Sequence, residues 1–279
     1  QMPELPEVET TRRGLEPFLS GQTIARINVR ERRLRWPVAL PDHLSGSMVK
    51  SVARRAKYIL IETVSGALIV HLGMSGSLRV VAPNDTPRLH DHIDIEVRNG
   101  QWLRYNDPRR FGSFHFAEHP SAQHWLLKNL GPEPLGNEFS GDYLFATSRK
   151  RKVAVKNHIM DGKVVVGVGN IYAAESLFRA GIRPSTPACK VSRLAYRFLA
   201  EAIREILANA INVGGTTLRD FVGSDGQPGY FKQSLNVYGR QREACNVCQS
   251  SLKLQILGQR STVYCPTCQT FSGWKRPVC

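Results

Sequence analysis

Pro3 and Glu4 place a potential amine nucleophile beside a carboxyl group at the head of the chain. A proline with a free terminal nitrogen is a secondary amine whose pKa lies below that of lysine. It can attack a sugar C1′ without prior deprotonation, and the resulting iminium acidifies the neighbouring C2′ proton, so elimination follows. Glu4 is then suited to general acid/base work at the sugar oxygen. The competing reading is plain, since Pro and Glu are ordinary residues of a helix's first turn. Two residues, Gln1 and Met2, precede Pro3. A glutamine ahead of a methionine is expected to be an appended residue. With both in place the Pro3 nitrogen is an amide, which has no available lone pair, and the amine chemistry is expected to be blocked.

Cys245-x2-Cys248 and Cys265-x2-Cys268 have the spacing of two metal-binding knuckles. Four thiolates so arranged form a closed tetrahedral site, suited to one structural Zn²⁺ and without an open position for a catalytic water. Between the knuckles, Leu252 to Leu257 and Thr262 to Tyr264 read as strands joined around Gly258-Gln259-Arg260-Ser261, which places Arg260 at a hairpin tip. There it is either a solvated turn residue or a rigid phosphate ligand. The remaining cysteines, Cys189 and Cys279, are expected to be free thiols.

Two further constellations bear on anion and base recognition. Val166-Gly-Val-Gly-Asn-Ile-Tyr172 runs into a helical stretch, so that backbone N–H groups and the Asn170 side chain can receive an anion. As a bare motif it is equally a plain turn. His71-Leu-Gly-Met-Ser-Gly76 and Asp107-Pro-Arg-Arg-Phe-Gly112 offer a methionine, an arginine and an aromatic ring. Apolar wedges and a guanidinium of this kind can fill the hole left by an extruded nucleotide, but they also occur as unremarked core and surface residues.

The elements that must position these groups fall into two blocks. Leu5, Val8, Leu15 and Leu19 recur at helical spacing over 4–19, with Pro6 in the first turn. Strands are predicted over 25–29, 58–63, 67–72, 78–81, 93–97, 102–105 and 113–116, and turns at Ser65-Gly66 and Asn99-Gly100 make them a β-sandwich or barrel. Gly131-Pro-Glu-Pro-Leu135 breaks the pattern. Beyond it helices dominate, the clearest starting at the N-cap Ser192 with Leu194, Ala195, Phe198, Leu199, Ala202, Ile203, Ile206 and Leu207 as one apolar face.

With 38 Lys+Arg against 23 Asp+Glu, the net charge of +15 favours a polyanionic partner. Residues 1–135 carry 18 basic and 14 acidic residues, a net +4, and the remainder 20 and 9, a net +11, so the second block is expected to be the main nucleic-acid grip. No apolar run is long enough to span a membrane, and no signal-peptide pattern opens the chain. A soluble, cytoplasmic, monomeric protein is expected.

Taken together, Pro3–Thr10, Arg54–Tyr58, His71–Gly76, His90-Asp-His92, Asp107–Gly112, Val166–Tyr172, Gly214-Gly-Thr-Thr217 and the cysteine knuckles resemble the formamidopyrimidine-DNA glycosylase family over nearly the whole chain. The resemblance implies an α+β fold: an N-terminal β-sandwich with flanking helices (1–131), a helical helix–two-turn–helix domain (136–238) and a C-terminal zinc ribbon (239–279). It implies a bifunctional glycosylase/AP lyase that excises oxidised purines such as 8-oxoguanine from duplex DNA and cleaves the strand by β,δ-elimination. Pro3 is then the Schiff-base nucleophile and Glu4 the acid at the deoxyribose, while Lys57 holds a flanking phosphate and assists elimination. His71, His90, Asn170 and Arg260 contact DNA. Met74, Arg109 and Phe111 fill the gap, with Arg109 facing the orphaned cytosine. The stretch with Thr217, Ser224 and Tyr230 matches the loop that closes over the flipped base. The alternatives are a catalytically silent damage reader of the same fold and an endonuclease-VIII-like enzyme for oxidised pyrimidines. The Leu5-Pro6 opening and the complete Met74, Arg109 and Phe111 set favour the purine branch. The tail from Phe271 to Cys279 exceeds what the resemblance requires.

Overall fold

A computed structural model describes residues 3–214 and 235–270. By internal contacts these divide into two compact units, one of 3–129 with 211–214 and the other of 130–210 with 235–270.

The first unit opens with helix α1 (Leu5–Leu19), capped at Glu4 and carrying Pro6 in its first turn. There the missing proline N–H costs no hydrogen bond. Leu5, Val8, Leu15 and Leu19 are all buried, as the helical spacing predicts. Eight strands follow: β1 (Ile24–Val29), β2 (Val49–Arg55), β3 (Tyr58–Thr63), β4 (Gly66–His71), β5 (Ser77–Val81), β6 (Asp91–Val97), β7 (Trp102–Asn106) and β8 (Ser113–Ala117). They form two antiparallel four-stranded sheets, ordered β1-β6-β7-β5 and β2-β3-β4-β8. Ile93, Ile95 and Leu103 from one sheet share a core with Ile59, Ile61, Leu68 and Val70 from the other, and Val8, Leu15 and Leu19 of α1 join it. This is the expected sandwich. Strand β2 was not expected: a register shift between Val49 and Ser51 leaves its buried Val49 and Val52 three residues apart, which hides the period of two.

The second unit holds helices α2 (Gly141–Ser148), α3 (Val155–Met160), α4 (Asn170–Arg179) and α5 (Arg193–Gly214) up to Ala210. Helices α3 and α4 are joined by a stretch of turns over 161–169. The Ser140 and Ser192 hydroxyls accept from the Tyr143 and Ala195 N–H groups, each at 3.1 Å, and cap α2 and α5. The expected face of α5 is buried at Ala195, Leu199, Ala202, Ile203 and Leu207, and it differs from the expectation at its edge. Tyr196 and Ala200 are buried, whereas Leu194 in the first turn is exposed. Strands β9 (Lys253–Leu257) and β10 (Arg260–Tyr264) make the final hairpin. Leu257 pairs with Arg260 across a two-residue turn in which Gly258 and Gln259 both have positive φ, the geometry whose twist matches the strands. Arg260 therefore opens β10 rather than standing at the tip.

Candidate active site and nucleic-acid interface

Pro3 and Glu4 lie immediately ahead of α1, and both are buried. The Glu4 N–H donates to the Glu7 carboxylate at 2.9 Å within a capping box, so the carboxyl group beside Pro3 is fixed by the helix start. The same helix is clamped to the β2–β3 hairpin. Arg54 Nε donates to Glu9 at 3.1 Å while Arg54 Nη1 donates to the Ala56 carbonyl at 2.9 Å, and Arg12 reaches the Val52 carbonyl at 3.2 Å. Glu9 faces the guanidinium groups of Arg12, Arg13 and Arg54, and they hold its carboxyl below the usual range despite its burial. Ala56 and Lys57 are the two residues of that hairpin's turn, with Arg55 paired to Tyr58 across it.

His71 pairs with Tyr58 across β3 and β4, with ring centroids 5.0 Å apart. Its Nδ1 accepts from the Gly73 N–H at 2.9 Å. Burial, then the charges of Lys57 and Arg35, push its pKa down to about 4. The ring is thus neutral at pH 7, and with Nδ1 committed as acceptor the proton sits on Nε2. It is a neutral donor suited to a phosphate oxygen.

The loops after β4 and β7 meet on one carboxylate. Asp107 is fully buried. It accepts from the Ser75 hydroxyl at 2.5 Å, the Tyr105 hydroxyl at 2.8 Å and the Gly112 N–H at 2.8 Å. Ser75 Oγ in turn accepts from the Arg109 N–H at 3.1 Å. The approach is close: a Cβ on Gly73, at φ +63°, would lie 2.4 Å from the Phe111 carbonyl carbon, and one on Gly112 1.8 Å from the Tyr105 hydroxyl. Met74, Arg109 and Phe111 are exposed around this joint, with the Arg109 guanidinium 4.7 Å above the Phe111 ring. His90 is half-buried, and its carbonyl accepts from the Asp107 N–H at 3.1 Å. Ala56, His90 and Arg110 all hold positive φ, a strained backbone for residues other than glycine, and each lies at or next to a candidate contact residue.

In the second unit, Asn170 opens α4 and is held by Lys156. This buried lysine donates to Asn170 Oδ1 at 2.6 Å, to Thr262 Oγ1 at 2.6 Å and to the Ser261 carbonyl at 3.2 Å. Asn170 Nδ2 donates to that same carbonyl at 3.2 Å, so the helix start and the β9–β10 hairpin form one surface. Glu175 of α4 is also buried, and it accepts from the N–H groups of Asn236, Val237 and Tyr238, each at 2.9 Å. The Sγ atoms of Cys245, Cys248, Cys265 and Cys268 lie within 4.8 Å of one another. N–H groups of Val247 and Cys268 point at the sulfurs of Cys245 and Cys265, at 3.5 and 3.3 Å. Four converging thiols with amide donors behind them are a metal-binding cluster.

A profile of the formamidopyrimidine-DNA glycosylase N-terminal domain matches residues 2–114, and that of the corresponding H2TH domain matches 130–222. The formamidopyrimidine-DNA glycosylase of Stutzerimonas stutzeri is 60% identical over 270 residues, covering 96% of this chain and all of the relative. The chain belongs to the formamidopyrimidine-DNA glycosylase family. The Pseudomonas aeruginosa relative is 59% identical over the same length. Among solved structures, the Thermus thermophilus MutM (Fpg) protein superposes with a TM-score of 0.83 at 36% identity, covering 96% of this chain and 98% of its own. A Lactococcus lactis Fpg bound to DNA containing an AP site gives 0.84 at 30% identity, covering 96% and 99%. The family's activity is that of a bifunctional DNA glycosylase and AP lyase.

In this glycosylase the structure groups His71, Met74, His90, Arg109 and Phe111 around one joint and sets Lys57 close enough to His71 to lower its pKa. Asn170 shares a surface with the strand that Arg260 begins. Thr217, Ser224, Tyr230, Cys279 and the tail lie outside the described residues. Sequence reasoning missed the supports. Asp107 was quoted only as part of a motif, and Lys156 and Glu175 were passed over. A carboxylate or ammonium group inside an apolar stretch is a usable signal, because such groups are almost never buried unless paired.

Proposed function

We propose that this family member excises oxidised purines from duplex DNA and cleaves the strand by β,δ-elimination through a Schiff base at Pro3. In that reaction the Pro3 amine attacks C1′ as the bond to the base breaks, and Glu4 protonates the ring oxygen so that the sugar opens to the iminium. Loss of the C2′ proton then expels the 3′ phosphate, and a second elimination expels the 5′ phosphate. The observation that carries this reading is the clamp of Glu9 and Arg54, which ties the helix begun by Pro3 and Glu4 to the hairpin that offers Lys57. A protein that only read damage would have no use for an amine, an acid and a lysine held together in this way.

The remaining roles follow from chemistry and exposure. Lys57, His71, Asn170 and Arg260 hold backbone phosphates, and His90 adds a further DNA contact. Met74 and Phe111 fill the space left by the flipped base, while Arg109 pairs with the orphaned cytosine. The four cysteines would hold one zinc ion: a tetrahedral site with bonds of about 2.3 Å sets sulfurs about 3.8 Å apart. Cys245 and Cys268 stand at 3.9 Å, Cys248 and Cys265 at 3.4 Å. Bound there, the ion would supply rigidity and no chemistry, because no coordination position is left open.

Incubating protein that begins at Pro3 with duplex carrying 8-oxoguanine opposite cytosine should give a nick with phosphate at both ends. Retarded but intact DNA would instead establish a damage reader, and preferential cleavage at oxidised pyrimidines would establish the endonuclease-VIII-like alternative.

A further inference from the structure

Beside the His71 turn lies an arginine that the reading above does not use. Arg35 is exposed, and its guanidinium carbon sits 4.5 Å over the Trp36 ring. Trp36 is itself fixed by edge contacts with His115 and Trp125, each at 5.5 Å. The Arg35 N–H donates to the Gly112 carbonyl at 3.2 Å, and a Cβ on Gly112 would lie 2.6 Å from the His71 carbonyl oxygen. The residue is therefore anchored to the loop that ends in Phe111 and adjoins His71. Its charge is felt at both Tyr58 and His71.

Arg35, like Arg32 and Arg109, lacks a carboxylate partner among the described residues, whereas other arginines of this unit have one. Arg30 is paired with Asp94, Arg33 and Arg110 with Glu31, Arg54 with Glu9, and Arg79 with Asp91. Arg35 has no ion pair among the described residues. Stacking on a tryptophan holds the guanidinium without neutralising it and leaves its edge N–H groups free to donate in the ring plane. A cation that is unpaired, stacked on a ring and next to a neutral histidine donor has the chemistry needed to hold a phosphate.

We propose that Arg35, on its platform of Trp36 and Trp125, binds a DNA backbone phosphate adjoining the one held by Lys57 and His71. The inference rests on the DNA-binding reading of this face. The chemistry recognised is a phosphodiester oxygen, so the contact is independent of sequence and of lesion.

The test is the salt dependence of binding to undamaged duplex, measured for the intact protein and for Arg35→Gln, Arg35→Lys and Lys57→Ala. Each phosphate contact contributes about 0.9 to the slope, so over a fourfold rise in salt Arg35→Gln should lose about three- to fourfold less affinity than the intact protein. Arg35→Lys should restore most of the slope. Without DNA, Arg35→Gln should raise the His71 pKa from about 4 when followed by NMR. A slope left unchanged by Arg35→Gln but flattened by Lys57→Ala would overturn the assignment of Arg35 alone. A salt-insensitive intact protein would overturn the DNA-binding reading of this face and the assignment with it.

Discussion

At the scale of single residues, the side chains that would touch DNA depend on buried ones that would not. Asp107 is the clearest case, since one carboxylate satisfies Ser75, Tyr105 and Gly112 and so sets the distance between the loops that carry Met74, Arg109 and Phe111. Asp107→Asn would turn an amide N–H₂ toward donors and leave at least one of them unsatisfied, at a cost of about 1–3 kcal/mol. The expected outcome is a smaller preference for cytosine opposite the lesion, in the same direction as Arg109→Ala but weaker, as measured by cleavage of duplexes differing only in the opposite base. Equal loss against every base in both variants would contradict this. Motif residues such as Met74 and Arg109 could be singled out in the sequence because side-chain type suggests the task proposed for them, and the structure shows both exposed at one joint. The role of Asp107 was not legible, because a sequence gives no partners and its partners lie up to 32 positions away.

Among the elements, most strands and both long helices could be read from spacing, and failures came where backbone irregularity broke the period. The bulge in β2 hid a strand, and the two-residue turn at Gly258 and Gln259 moved Arg260 from a tip to a strand start. The hairpin's small core joins Leu252 and Val263 to Ala174 and Phe178 of α4 and to three of the cysteines. With so little apolar area to bury, it would depend on the metal that the four cysteines are proposed to hold. Chelation should therefore loosen β9 and β10, release the Lys156 contacts to Ser261 and Thr262, and weaken DNA binding, while the sandwich, with its separate core, stays folded. Circular dichroism and a binding titration on the metal-free protein check this. Undiminished affinity after complete metal release would count against it.

Across the whole molecule, the excess positive charge marked a polyanion partner, and its concentration after residue 135 pointed to the second unit. Charge alone could not separate an enzyme from a binding protein. The separation rests on Pro3 and Glu4 standing at a capped helix start that is clamped to the Lys57 turn, and on membership of a glycosylase family over 96% of the chain. No helix among the described residues is long and apolar enough to cross a membrane. The central claim, that the Pro3 nitrogen forms the covalent intermediate, is tested most directly by borohydride trapping on duplex containing 8-oxoguanine. Protein that begins at Pro3 should be captured as a covalent adduct, whereas protein retaining Gln1 and Met2, with the Pro3 nitrogen an amide, should bind the same DNA without being captured. Failure to trap the Pro3-first protein, or equal trapping of both, would contradict the account.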